Sequence, residues 1–262
     1  MIRLPDSITR LLPDEPYLMD KIGMSSSQVL LFSDRVLKIQ PVSWESLNEH
    51  RMLLWLQGRL EVPKVLAYEV VDGTSYLLMS RLKGTMACDQ AAMEDPQKLV
   101  KLLASGLKRL WMVDIKGCPT LSNAEQKLSL AKANIESGRV DIAEAEPDTY
   151  GGNGFSDPLG LWNWLVEHKP KEELVFSHGD YCLPNVFVEG DRVSGFLDLG
   201  SAGLADKWQD IALCYRSLKH NYDGTYGETP RPDFDPNTLF QELGIEPDWN
   251  NIKYYLLLDE LF

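Results

Sequence analysis

The densest chemistry in the chain lies in Phe176-Ser177-His178-Gly179-Asp180-Tyr181-Cys182-Leu183-Pro184-Asn185, followed further on by Asp198-Leu199-Gly200. Asp180 and Asn185 stand five residues apart and bracket a loop that Pro184 helps to fix. Thirteen residues after Asn185, Asp198 enters a glycine turn. Between them, Asn185–Glu189 and Arg192–Leu197 flank Gly190 and are predicted to form a hairpin. A hairpin returns its far end beside its start, so Asn185 and Asp198 are expected to be spatial neighbours. One amide oxygen beside one carboxylate is a pair of hard ligands that suits a Mg²⁺ ion retaining most of its waters. Asp180, a few residues upstream, is then free to orient a hydroxyl and accept its proton. Taken singly, an Asp with an Asn five later is common, and Asp-Leu-Gly is more often a turn than a metal site. In this order around a hairpin they point to phosphoryl transfer. His178 is expected to brace the loop backbone, and Asp210 to hold that loop from a helix.

The set resembles the protein-kinase catalytic core, H-R-D-x-x-x-x-N followed by D-F-G. Its variant here, H-G-D-x-x-x-x-N with D-L-G, is similar to that of the antibiotic and small-molecule kinases. Val175–Asp180, Gly195–Gly200, Ala205–Ala212 and Leu258–Phe262 resemble the bacterial aminoglycoside 3′-phosphotransferases, as do Trp55-Leu56, Val62–Leu66 and Leu77–Ser80. The resemblance spans nearly the whole chain. It implies ATP- and Mg²⁺-dependent transfer of the γ-phosphoryl group to a hydroxyl, the 3′-OH, of an aminoglycoside such as kanamycin or neomycin, and hence antibiotic resistance. Asp180 would orient the acceptor, and Asn185 and Asp198 would hold the metal.

The resemblance further implies a lysine on the third strand, and Lys38 stands there in Val36-Leu37-Lys38-Ile39. Strand alternation puts Val36 and Lys38 on one face. Lys38 would meet the α/β-phosphates and Val36 would cap the adenine, where some family members carry an aromatic. Alone, Lys38 reads as an exposed edge-strand charge. Glu49, on the following helix, stands where a kinase places the partner of that lysine. Ser25, Ser26 and Ser27 in Gly23–Ser27 would lie over the phosphates, although the stretch by itself is equally a plain β-turn. Backbone atoms from Ser80 to Leu82 would read the adenine edge.

For the acceptor, the resemblance implies that Asp259, Glu260 and the terminal Phe262 form a cradle for ammonium groups. Two acids at a helix C-terminus oppose the macrodipole by about 0.3–1 kcal/mol per charge, so a frayed, solvated tail is the alternative. Glu146 and Asp148, in the acidic segment Glu144–Asp148, are a second candidate wall. Ser201 and His220 depart from the family, which commonly has Arg at the first and in some members an acid at the second.

These residues need elements to position them. Strands are predicted at Tyr17–Ile22, Gln28–Phe32, Arg35–Ile39, Lys64–Val70 and Ser75–Leu82, with a helix at Glu45–Leu56. Asp72-Gly73 signals a turn, and Lys83-Gly84-Thr85 a linker. Helices follow at Gln97–Trp111, with Pro96 as first helical residue, and at Ala124–Ser137. Residues 146–158 are expected to be a long loop, and helices to run over Asp206–Leu218 and Pro247–Phe262. The expected fold is α+β and bilobal, protein-kinase-like. Residues 1–82 would be a nucleotide-binding lobe of antiparallel sheet with one main helix, 83–95 a linker, and 96–262 a mainly helical catalytic and acceptor-binding lobe with an embedded β-hairpin.

The chain of 262 residues carries 26 Lys+Arg against 39 Asp+Glu, a formal net charge of −13. That disfavours nucleic acid and anionic membranes as partners. The charge is uneven: residues 1–139 hold 18 basic and 16 acidic side chains, residues 140–262 hold 8 and 23. A near-neutral lobe thus precedes a strongly acidic one, as a cationic acceptor requires. No signal peptide or membrane-spanning run is evident, and Cys88, Cys118, Cys182 and Cys214 show no C-x-x-C spacing, so a cytoplasmic protein with reduced thiols, a monomer or weak dimer, is expected. Three alternatives stay open: a kinase of the same fold acting on choline, a fructosamine or a macrolide; a catalytically silent nucleotide-binding module; and a metal-dependent hydrolase, which would have to work without an H-E-x-x-H motif.

Overall fold

A computed structural model describes residues 4–19, 27–152, 154–226 and 229–262. A short helix α1 (Asp6–Thr9) precedes β1 (Leu18–Met19), β2 (Gln28–Leu31) and β3 (Arg35–Pro41). Helix α2 (Trp44–Leu56) follows, then β4 (Val65–Val71) and β5 (Thr74–Ser80). The strands form an antiparallel sheet in the order β1-β2-β3-β5-β4. The β4–β5 hairpin turns on Asp72 (φ 48°) and Gly73 (φ 74°), two adjacent left-handed residues that match the twist of tightly joined strands. Ser43 starts α2 with a reciprocal cap: its hydroxyl accepts the Ser46 N–H at 3.1 Å, and the Ser46 hydroxyl accepts the Ser43 N–H at 2.9 Å. Leu37 and Ile39 pack on one face of the sheet with Ile8, Leu30, Phe32, Tyr76 and Leu78. Leu77 and Met79 look the other way, onto Met52, Leu53 and Leu56 of α2 and the main core. The alternation expected for β3 therefore holds, with Val36 against that main core.

The segment after β5 is more than a tether. β6 (Thr85–Met86) pairs with β8 (Val186–Glu189), which pairs with β9 (Arg192–Phe196). Gly84, at φ 91°, lies so close to the Val188 carbonyl that a Cβ would collide with it. Helix α3 (Gln90–Met93) leads to α4 (Pro96–Trp111), whose first turn holds Pro96 as expected and whose N-terminus is capped by Asp95. Leu99, Leu103, Leu107 and Leu110 recur along α4 at helical spacing and are wholly buried. α5 (Ala124–Glu136) comes next, capped by Asn123.

The sequence predicts nothing between the long loop and Asn185 except the motif, yet α6 (Pro158–Glu167) and β7 (Leu174–Ser177) lie there. α6 carries apolar residues around most of its circumference, so no periodic stripe betrays it. Its true signals are Asp157, whose carboxylate accepts the Gly160 N–H at 2.7 Å, and Pro158 in the first turn. β7 pairs with β10 (Gly203–Asp206), both too short to show alternation. α7 (Lys207–Asp223) runs five residues past its expected end and stops where Gly224 turns left-handed at φ 90°. α8 (Thr238–Leu243) and α9 (Trp249–Asp259) complete the helical lobe, with Glu260–Phe262 outside the last helix. No helix among the described residues is long and apolar enough to cross a membrane.

Candidate active site

β7 delivers His178-Gly179-Asp180 into a loop held mainly by its backbone. Asp210, wholly buried on α7, accepts the His178 N–H at 2.8 Å and the Gly179 N–H at 2.9 Å. Gly179 sits at φ 82°, and any Cβ there would run into the Ser201 carbonyl, so only glycine fits. The buried His178 ring lies edge-on to Tyr181 and Phe196 at 5.9 and 6.3 Å, and its Nδ1 accepts the Asp180 N–H at 3.3 Å. Burial lowers the His178 pKa, which suits a neutral brace. The Asp180 side chain in turn accepts from Asn185 Nδ2 at 2.9 Å, and the same nitrogen donates to the Asp180 carbonyl at 3.0 Å. Burial pushes the Asp180 carboxyl up to about 6, helped by the negative charges of Asp259 and Asp198 and opposed by Cys182 and Lys127. That is a carboxylate poised as a proton acceptor near neutral pH.

The second focus joins three distant segments. Lys38 Nζ on β3 lies 3.0 Å from Glu49 Oε2 on α2 and 2.5 Å from Asp198 Oδ1. Burial works against the charge on Lys38, but Glu49 and Asp198 outweigh it and its pKa is raised. Burial pushes the Glu49 carboxyl up while Lys38 pulls it down. Asp198 takes a left-handed backbone, φ 58°, which a non-glycine residue adopts at a cost and which commonly marks functional sites. The turn after it is tied to α2 by Asn48, whose Nδ2 donates to the Gly200 and Ala202 carbonyls at 2.8 Å each. The Leu197 N–H bonds the Asn185 carbonyl at 2.9 Å, which brings Asn185 beside Asp198 as the hairpin requires.

The third focus gathers acids. Arg216 on α7 pairs with Asp259 and with Glu260, the latter at 3.3 Å. Glu260 also accepts the backbone N–H of Glu146 at 3.0 Å, and the Glu146 carboxylate lies 3.5 Å from His220 Nε2. Glu146, Arg216, His220 and Glu260 line a cavity of about 320 Å³ between α7 and α9. Asp148 is exposed in the neighbouring turn. Phe262 lies under the Lys127 ammonium, 5.5 Å from ring centroid to Nζ. Lys127 is buried and donates to the Gly179 carbonyl at 3.3 Å, so it connects the last residue to the Asp180 loop. Burial drives its pKa down against the pull of Asp259 and Asp180.

Lys127 and Arg216 are absent from the sequence-derived candidates. Lys127 has a signal there, since Ala124, Lys127, Leu128 and Ala131 form one buried stripe of α5 and a lysine interrupts it. Arg216 has none beyond its place one and a half turns after Asp210. Of the glycine-serine stretch, Ser25 and Ser26 lie outside the described residues, and Ser27 immediately precedes β2. In the Ser80–Leu82 segment the Ser80 N–H goes to the Lys64 carbonyl at 2.9 Å and the Arg81 N–H to the Asp34 carbonyl at 2.9 Å, while the Leu82 side chain packs over Gly195.

Comparison with known proteins bears on this arrangement. Residues 22–239 match the model of the phosphotransferase enzyme family. An aminoglycoside 3′-phosphotransferase of Enterococcus faecalis is 39% identical over 92% of this chain and 87% of its own length. One of Staphylococcus aureus is 38% identical over 94% and 90%. Among solved structures, a type VIII aminoglycoside-3′-phosphotransferase superposes with a TM-score of 0.80 over 98% of both chains at 23% identity, which speaks to the fold.

Proposed function

We infer function from the premise that this chain belongs to the aminoglycoside 3′-phosphotransferases of the phosphotransferase enzyme family. It is an aminoglycoside O-phosphotransferase that moves the γ-phosphoryl group of ATP to a hydroxyl of an aminoglycoside such as kanamycin or neomycin, and so confers resistance. The observation that carries the site reading is the meeting of Lys38, Glu49 and Asp198 by 2.5 and 3.0 Å contacts, beside the Asp180–Asn185 pair.

Lys38 holds the α/β-phosphates, with Glu49 fixing its rotamer from below. Val36, on the same strand face, covers the adenine, and the Ser80–Leu82 segment borders its edge. Of the three candidate serines, Ser27 immediately precedes β2 at the nucleotide end. Asn185 and Asp198 suit Mg²⁺: the Asn185 amide nitrogen is spent on Asp180, which leaves its oxygen for a cation, and the Asp198 side chain is 50% exposed with one oxygen unclaimed by Lys38. A magnesium ion held by Asn185 and Asp198 would supply positive charge that offsets the charge of the transferred group. Asp180 orients the acceptor hydroxyl in line with the γ-phosphorus and takes its proton. Catalysis of this kind is mostly positioning and electrostatics, which is why the loop is held through Asp210, Gly179 and His178. Asp259, Glu260, Glu146 and Asp148 present carboxylates towards the acceptor's ammonium groups, with Phe262 beside them. The two lobes divide at the 83–95 segment.

ADP release from Mg-ATP tests this against a panel of kanamycin, neomycin, choline and buffer alone. Turnover with kanamycin or neomycin, with phosphate found on the 3′-oxygen, is the expected result. Turnover with choline alone would reassign the acceptor. Nucleotide binding without turnover would make the chain a silent binding module, and ATP-independent hydrolysis would make it a hydrolase.

A further inference from the structure

Lys127 is a charged side chain that the reaction as described leaves without a task. It lies on the buried face of α5, 8% exposed, and among the described residues its ammonium makes one hydrogen bond and no ion pair. Lysine is seldom buried without a paired carboxylate, because burial penalises the charge. The hydrogen bond goes to the Gly179 carbonyl at 3.3 Å. That carbonyl belongs to the peptide unit joining Gly179 to Asp180, whose N–H is engaged by His178 Nδ1 at 3.3 Å. Gly179 takes φ 82° and, having no Cβ, offers this peptide little resistance to rotation of its own. Lys127 therefore fixes one edge of the peptide plane from which Asp180 departs, and His178 fixes the other.

The same ammonium lies over the Phe262 ring, 5.5 Å from its centroid. Two turns further along α5, Asn134 Nδ2 donates to the Leu261 carbonyl at 3.0 Å, and Arg139 holds the Asn134 oxygen at 2.9 and 3.1 Å. Lys127 and Asn134 share one helix face, so α5 seats the last two residues along one line. Arg216 on α7 holds Asp259 and Glu260 just before them. The end of the chain is thus pinned from two helices, and Lys127 carries the link on to the catalytic loop. We propose that Lys127 is a positioning residue for phosphoryl transfer, locking the Gly179–Asp180 peptide to the seated end of the chain and so fixing Asp180 relative to the acceptor wall. The proposal rests on the reading of Asp180 and of Asp259–Phe262 in that reaction. Transfer needs the acceptor hydroxyl at Asp180 while the ammonium groups sit at the wall, and a small misplacement between the two lowers rate more than affinity. An ammonium can make a charge-assisted bond to a carbonyl and lie over an aromatic face at once, and a neutral side chain of the same length makes neither contact.

Wild type is compared with Lys127→Met, Lys127→Arg, Phe262→Leu and the double variant Lys127→Met/Phe262→Leu. Turnover with kanamycin and Mg-ATP gives kcat, calorimetry gives both dissociation constants, and thermal melting reports the fold. In Lys127→Met, kcat is expected to fall by about 10–10²-fold while neither dissociation constant rises more than about threefold. Its melting temperature should equal or exceed that of wild type, because methionine fills the space without burying a charge. Lys127→Arg, which keeps a cation and a donor, should regain most of the lost kcat. Phe262→Leu, at a half-exposed position, tests the link without disturbing the buried one, and kcat should fall about two- to fivefold, the worth of one cation–π contact. The double variant should match Lys127→Met alone, since both substitutions break one link. An unchanged kcat in either single variant overturns the proposal, as do effects that multiply in the double variant. A loss of kcat in Lys127→Met accompanied by equal losses of affinity and melting temperature also overturns it, and makes Lys127 a brace of the fold. Failure of wild type itself to bind or phosphorylate kanamycin would overturn the functional reading, and this proposal with it.

Discussion

Lys38 Nζ lies 2.5 Å from Asp198 Oδ1 although 160 residues of chain separate them, and Glu49 Oε2 holds the same ammonium at 3.0 Å. One cation thus joins the sheet lobe to the turn that follows the hairpin of the helical lobe. Lys38 is 8% exposed, so its charge persists only because the two carboxylates outweigh burial. Lys38→Met removes the cation and leaves Glu49 buried without a counter-charge. The kcat/KM for ATP is expected to fall by about 10²–10³-fold, the effect of one preorganised charged contact on the transferring phosphates. Steady-state kinetics at saturating kanamycin measures it, and an unchanged kcat/KM would take Lys38 out of the nucleotide site.

Asp180→Asn should remove the proton acceptor while keeping the hydrogen bond from Asn185. A fall in kcat of about 10²–10⁴-fold is expected, with ATP affinity by calorimetry nearly unchanged. Because burial, Asp259 and Asp198 push the Asp180 carboxyl up to about 6, it is the ionised form that is lost first as pH falls. The wild-type kcat/KM for acceptor should therefore drop below about pH 6 with a single acid limb. A flat profile down to about pH 5 would separate Asp180 from the proton transfer.

The same group carries a stability consequence of opposite sense. Its folded-state pKa is above the ordinary carboxylate value, so the folded protein binds that proton more tightly than the unfolded chain does. The ionised side chain then destabilises the fold at pH values above about 6, and the penalty fades as pH falls towards about 4. Asp180→Asn, uncharged throughout, should be more stable than wild type at neutral pH by on the order of 1–3 kcal/mol, and the gain should close in acid. Denaturant unfolding at several pH values reads this directly. Equal stability at neutral pH would mean that the carboxylate is not penalised where it sits.

Much of this site is legible in the sequence because it is encoded by local spacing. Asp180, Asn185 and Asp198 are linked by a loop and a hairpin whose geometry follows from a few turn residues, and Lys38 and Glu49 fall on elements with clear strand and helix patterns. What escapes is contact between segments with no shared local code. Arg216 meets Asp259 and Glu260 only because α7 and α9 pack together. That contact changes the account of the chain's last acids: the sequence predicts helix to Phe262 with two acids opposing the macrodipole, whereas α9 ends at Asp259 and Arg216 supplies the missing counter-charge. Lys127 escapes for a related reason, since a lysine in an apolar stripe is recognised only once Gly179 and Phe262 are seen around it. α6 escapes because a helix apolar on most sides has no period to detect.

Asp210 offers a test of how the loop is held. Its two oxygens accept two buried backbone N–H groups, from His178 and Gly179, at 2.8 and 2.9 Å. Asp210→Ala leaves the His178 N–H unpaired in a buried space, and the Gly179 N–H with only the Ser177 hydroxyl at 3.1 Å, at about 1–3 kcal/mol for each lost bond. Unfolding free energy should fall by roughly 2–5 kcal/mol, and residual kcat should fall with it because Asp180 follows Gly179 directly. Asp210→Asn, which keeps one oxygen, should lie between the two in chemical denaturation. An alanine variant as stable as wild type would show that the loop holds itself.

Ionic strength should distinguish the two substrates. Lys38, the cation proposed to meet ATP, has a side chain only 10% exposed, whereas Glu146 and Asp259 of the proposed acceptor wall are 39% and 29% exposed. Mobile ions screen charges in contact with solvent over about 8 Å at physiological salt and reach buried ones poorly. Residues 140–262 also carry 23 acidic against 8 basic side chains, an excess that should draw a polycationic acceptor over a distance that salt shortens. Raising KCl from about 0.05 to about 0.5 M at fixed free Mg²⁺ should therefore raise the kanamycin KM several-fold and the ATP KM by less than about twofold. The comparison is internal, since both constants come from one enzyme in one buffer series. Equal salt slopes for the two substrates would mean that the acidic lobe does not gather the acceptor through its exposed carboxylates, and that its negative charge serves solubility alone.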